Sequence, residues 1–128
     1  MKSAKKICVL VLEDDEMVRL IVKDYLLESG FDVQESACPV NALKILEKVA
    51  CDVAIVDMNI PQMSGEIFLE KAKIICPGIQ IIIHTGASDY RGSLKMRKMN
   101  ISQENILVKP VEDMNIFPTL IKQLVQNR

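Results

Sequence analysis

The sequence is short of most features that announce a function on their own. It has no tryptophan and one histidine, His84. No apolar run approaches the roughly 20 residues that span a bilayer, so no transmembrane helix is expected. The basic start, Met1 to Lys6, leads into Ile7 to Leu12, which is too short for a signal-peptide core and runs straight into acids. There is no G-x-G-x-x-G motif and no P-loop, and nucleotide binding therefore has no support. The formal net charge of −1 offers no bulk attraction to nucleic acid or to an anionic membrane. The four cysteines, Cys8, Cys38, Cys51 and Cys76, make no C-x-x-C pair, and three lie in or beside apolar runs. They read as reduced, buried thiols of a cytoplasmic protein, in preference to disulfides or a zinc site. Repeats, low-complexity segments and linkers are missing as well.

What is present is a chain of 128 residues, 49% hydrophobic and 26% charged, which suits one soluble domain with a real core. Its pattern alternates between two periods. Ile7 to Leu12 is a continuous apolar run, a buried strand. Met17, Leu20, Ile21, Tyr25 and Leu27 then follow a mostly helical spacing up to Ser29, with Asp15 as N-cap and Gly30 closing the helix. Phe31 to Ser36 predicts a second strand. Pro39 suits the first turn of a helix through Ala42, Leu43, Leu46 and Val49. Val53 to Val56 is a third, β-branched strand, and a helix from Glu66 to Cys76 ends before Pro77-Gly78. Ile79 to His84 is a fourth strand, followed by a helix from Asp89 to Met99 with Leu94 as its clearest apolar anchor. Ile106 to Val108 is a short fifth strand. The last helix carries Leu120, Ile121, Leu124 and Val125, and starts near Pro118. Five β-α units of this kind predict an α/β fold, a five-stranded parallel sheet with helices on both faces.

The strand ends can now be taken together. The first yields Glu13 and Asp14, the third Asp57, the fourth Thr85 and the fifth Lys109. In a parallel sheet these carboxyl ends share one edge, where open α/β sheets keep their chemistry. Three carboxylates close together repel unless a cation neutralises them. A hard oxygen cluster with room for water suits Mg²⁺. Thr85 brings a hydroxyl and Lys109 a positive charge, which together suit the equatorial oxygens of a phosphoryl group on Asp57. A carboxylate is a known acceptor in covalent catalysis. Taken singly, an acid at a strand end is usually a cap or a solvated residue; it is the ordered set of five that points to phosphoryl chemistry.

Over nearly its full length the chain resembles the receiver domain of two-component response regulators. The residues that carry the likeness are Glu13-Asp14 after the first strand, Asp57 with Pro61 and Gly65 behind it, Thr85-Gly86, and Lys109-Pro110. The resemblance implies a flavodoxin-like sheet in the order 2-1-3-4-5. It implies that Asp57 accepts phosphate from the phosphohistidine of a sensor histidine kinase or phosphotransfer protein. Glu13, Asp14 and Asp57 would hold Mg²⁺, with the Asn59 carbonyl as a further ligand, while Thr85 and Lys109 bind the phosphoryl group. Asp15 adjoins the acidic pair and competes for its place; the register with Glu13-Asp14 carries Arg19 onto its usual position in the first helix. The chain departs from the family at Ile106, where an aromatic is common, and at Met99 to Glu104, where Ala-Gly-Ala is familiar.

Three classes of function compete. A phosphorylation-dependent switch is expected first, acting as no enzyme beyond its own phosphorylation and dephosphorylation. A receiver-like interaction module without phosphorylation is second, and the retained acids, Thr85 and Lys109 argue against it. An Asp-nucleophile phosphatase of the haloacid-dehalogenase kind wants a second Asp two residues on, where this chain has Asn59. The chain is expected to be a single receiver domain over 1–128 with no output domain, passing its signal to a downstream protein. His84, next to Thr85 on a strand, points away from the site and is expected to be packed or half-exposed. Arg91, Lys95 and Lys98 share a helical face that reads as solvated. With Ile106 unable to act as the usual aromatic reporter, a phosphorylation-linked change is expected from Thr85 to Arg91 and in the helix carrying Lys95 and Lys98.

Overall fold

The first helix shows how local chemistry sets the boundaries. In the computed structural model, which describes residues 5–86, 98–99 and 101–128, the side chain of Asp15 accepts the Val18 amide at 3.0 Å and opens helix α1, Glu16–Glu28. At its other end Gly30 adopts φ of 95°. The Gly30 amide then reaches the Leu27 carbonyl and the Phe31 amide the Leu26 carbonyl, both at 3.1 Å, a Schellman closure that a Cβ would strain.

The remaining elements follow the expected alternation. Strand β1 is Cys8–Leu12, β2 Asp32–Ser36, β3 Val53–Val56, β4 Gln80–Thr85 and β5 Ile106–Val108. Helix α2 spans Pro39–Lys48 with its proline in the first turn, and α3 spans Gly65–Ile75. A 3₁₀ turn, Gln103–Asn105, leads into β5. The last helix among the described residues, α4, is Ile116–Gln126, so Pro118 sits in the first turn, where no intrahelical amide is needed. The helix expected over Asp89 to Met99, with Leu94, Arg91 and Lys95, lies outside the described residues apart from Lys98 and Met99.

All strand pairs are parallel, and the sheet runs β2-β1-β3-β4-β5. The period of two then divides the core. Leu10, Leu12, Ala54, Val56, Ile81 and Ile83 face one way, against Ala42 and Leu46 of α2 and Phe68, Leu69 and Ala72 of α3. Val9, Val11, Val53, Ile55 and Ile82 face the other way, against Val22 and Leu26 of α1 and Phe117 and Ile121 of α4. Burying each large apolar side chain contributes roughly 1.5–3 kcal/mol.

The stripe Met17, Leu20, Ile21 and Leu27 lies on the exposed side of α1, while Val22 and Leu26 are buried and Val18 is partly so. The helix is apolar around most of its circumference, so spacing alone admitted two stripes.

Candidate functional site

Each site residue sits on the sheet framework or one step beyond it. The Glu13 amide donates to the Ser36 carbonyl and the Asp57 amide to the Leu12 carbonyl, both at 3.0 Å. The Lys109 amide donates to the Thr85 carbonyl at 2.8 Å. These bonds carry the ladder past the strand ends and aim Glu13, Asp57 and Lys109 at one edge. Gly65 lets α3 begin close behind: a Cβ there would lie 2.5 Å from the Met58 methyl carbon.

Carboxylate oxygens of Glu13, Asp14 and Asp57 lie within 4.8 Å of one another. Glu13 and Asp57 are buried at 2% and 6% exposure, whereas Asp14 faces solvent. At such separations two like charges cost on the order of 3 kcal/mol in the effective dielectric of a protein surface. Lys109 answers part of this: its Nζ lies 2.6 Å from Glu13 Oε1 and 3.2 Å from Asp57 Oδ2. The Glu13 contact is an ion pair without hydrogen-bond alignment, and the buried Oε1 has no partner in hydrogen-bonding geometry. Burial raises the Glu13 carboxyl above the usual carboxylate range, against the pull of Lys109 and the Asp15 amide. Burial lowers Lys109, but Glu13 and Asp57 outweigh that and the net direction is upward. Among the described residues, three carboxylates against one ammonium leave two negative charges over. A hard divalent cation fits that donor set.

Asp15 stands apart from this group as the α1 cap, its amide on Glu13 Oε2 at 3.2 Å. The geometry thus gathers Glu13, Asp14 and Asp57. Thr85 is fully buried and Asn59 connects it to Asp57. The Asn59 amide donates to Asp57 Oδ1 at 3.0 Å and its side-chain nitrogen to Thr85 Oγ1 at 3.3 Å.

Two contributions escaped the sequence. One is the Asn59 side chain on Thr85, 26 residues away in sequence. The other is Arg19, which donates to the Glu13 carbonyl at 2.8 Å and to Glu35 Oε1 at 3.1 Å, with Lys23 also on Glu35. Arg19 was legible as a position; Glu35, on edge strand β2, carried no signal of its own. His84 is buried and meets the Phe117 ring edge-on at 5.2 Å, packed away from the acids as expected. Burial, with the Lys109 charge added, holds its imidazole down to about 4. All four cysteines are free thiols. No helix among the described residues is long and apolar enough to cross a membrane.

A family model for the response regulator receiver domain matches residues 9–121. A cyclic di-GMP phosphodiesterase of Thermotoga maritima is 30% identical over 120 residues, covering 94% of this chain and 31% of the relative. Sporulation initiation phosphotransferase F of Bacillus subtilis is 30% identical over 77 residues, covering 60% of this chain and 62% of the relative. The chain thus spans about a third of the first relative and under two thirds of the second. A solved response regulator receiver domain from Clostridium thermocellum superposes with a TM-score of 0.82 at 27% identity, over 94% of this chain and 95% of that one.

Proposed function

We propose that Asp57 is the phosphoacceptor of this protein, and the premise is that the chain belongs to the response regulator receiver domain family. That membership makes it a phosphorylation-dependent signalling switch. The observation that carries the assignment to Asp57 is the gathering of Glu13, Asp14, Asp57 and Lys109 at one sheet edge. In the proposed step, an Asp57 carboxylate oxygen attacks the phosphorus of a phosphohistidine. A P–O bond forms, the P–N bond breaks, and the imidazole leaves with its electron pair and takes up a proton from solvent. Lys109 remains beside the added phosphoryl charge, and the Thr85 hydroxyl, which accepts from the Asn59 side chain, is the proposed donor to it. Asn59 holds the Asp57 side chain in register by its amide.

Glu13, Asp14 and Asp57 are the residues that would hold Mg²⁺, with the Asn59 carbonyl as a further ligand. The ion would supply charge neutralisation for the incoming phosphoryl group. The donor is a sensor histidine kinase or phosphotransfer protein, the receiver of the signal a downstream protein, and the setting the cytoplasm. On this reading the chain catalyses only its own phosphorylation and dephosphorylation.

With Mg²⁺ and acetyl phosphate, the protein should gain one base-labile phosphoryl group by intact mass. Asp57→Asn should gain none. Equal labelling of both proteins would move the acceptor elsewhere and end this assignment.

A further inference from the structure

At the opposite end of the sheet two sulfurs touch. The Sγ atoms of Cys8 and Cys51 lie 3.4 Å apart, and both residues are buried. We propose that Cys8 and Cys51 are a dithiol modification site that closes to an intramolecular disulfide under two-electron oxidation by a hydroperoxide.

The backbone holds the pair in place. Cys8 opens β1, and Cys51 lies just ahead of β3, the neighbouring strand. Between them, the Asp52 amide donates to the Cys8 carbonyl at 2.8 Å, and the Cys8 amide to Asp52 Oδ2 at 2.9 Å. A disulfide needs the sulfurs at roughly 2.05 Å, so from 3.4 Å they must close by roughly 1.4 Å. Cys76 is not an equal competitor, because its Sγ points at the Cys51 carbonyl at 3.5 Å. Cys8 lies in the wall of a cleft of about 570 Å³, with Lys5, Lys6, Lys48, Asp32 and Asp52 among its other residues. The Cys51 hydrogen bond lowers the Cys8 thiol, against burial and the charges of Asp52 and Asp32. Cys8, which lines the cleft, is the nucleophile and Cys51 the resolving thiol.

The chemistry balances in two steps. The Cys8 thiolate attacks one peroxide oxygen, the O–O bond breaks, and the leaving hydroxide takes a proton to become water. Cys51 sulfur then attacks the Cys8 sulfenic sulfur, the S–O bond breaks, and the second water leaves with the Cys51 proton. Two thiols lose two electrons and one hydroperoxide gains them.

The test treats the folded, full chain with hydrogen peroxide, then unfolds it in N-ethylmaleimide. Of the four cysteines, two should be blocked after oxidation and all four before it. Peptide mapping of the wild type should give a Cys8–Cys51 link that dithiothreitol reverses. Cys38→Ser and Cys76→Ser should keep the link, and Cys8→Ser and Cys51→Ser should lose it. Four blocked thiols after oxidation, a link to Cys38 or Cys76, or sulfinic acid on Cys8 without a link would each overturn the proposal. The wild-type map decides the matter even if a cysteine variant fails to fold.

Discussion

Strand β3 carries an aspartate beyond each end, and the two live differently. Asp52, at the amino end, has every oxygen answered: Oδ2 by the Cys8 amide at 2.9 Å and Oδ1 by Arg128 at 2.8 Å. Asp57, at the carboxyl end, also has both oxygens bonded, to the Asn59 amide and to Lys109, but it shares that lysine with Glu13 and is one of three clustered carboxylates. The residue type is the same and the strand is the same. What differs is whether positive charge matches negative charge locally. A matched acid ties strands together, and an unmatched group of acids stores repulsion that a cation can relieve.

If that contrast is right, the carboxyl end should also be the acid-sensitive end, with the largest effect at His84. Its imidazole is held down to about 4 in the fold, against an ordinary value of 6.5. Between those two pH values the unfolded chain binds the proton and the folded chain does not. Stability from this group is therefore complete above pH 6.5 and is lost as pH falls towards 4, by up to about 3 kcal/mol. Urea unfolding of wild type and His84→Gln at several pH values checks it. The same pH dependence in both proteins would count against the assignment.

The next effect is at the amino end. Asp52→Ala strands the Cys8 amide and frees Arg128, which should cost about 1–3 kcal/mol at neutral pH. Chemical denaturation would measure this, and an unchanged midpoint would show that Asp52 ties nothing.

Adding Mg²⁺ comes third. At ten times its dissociation constant the ion should stabilise the fold by about 1.4 kcal/mol, a rise in Tm of roughly 5 °C. Asp14→Ala should abolish the rise and Asp52→Ala should keep it. A response that survives Asp14→Ala removes that residue from the cation site.

The smallest effect has the opposite sign from the Asp52 change. Without divalent cation, Asp57→Asn removes two repulsions and one shared attraction, and should stabilise by about 1 kcal/mol. Destabilisation of the size seen for Asp52→Ala would mean the two ends are electrostatically alike.

Much of this architecture was readable in advance because its causes are local. The Asp15 cap and the Gly30 closure depend on residues a few positions apart. So does the run Val53–Val56, which was bounded without error. The acids, Thr85 and Lys109 could be placed on one edge because parallel topology puts all strand ends together. Which face of α1 is buried was not legible for the complementary reason: a helix apolar on most sides leaves its buried face to the sheet it meets.

By itself, then, the sequence determined the alternation of elements, their caps and stops, and the chemistry gathered at the sheet edge. Period, capping and turn preference act over one or two turns of chain and need no partner. Only the tertiary structure decided which groups share a proton or a charge. Lys109 reaches Asp57 across 52 residues, and Cys8 meets Cys51 across 43. The Asn59 side chain reaches Thr85 across 26. Such contacts depend on strand register and side-chain direction to within an ångström, and no local preference encodes either.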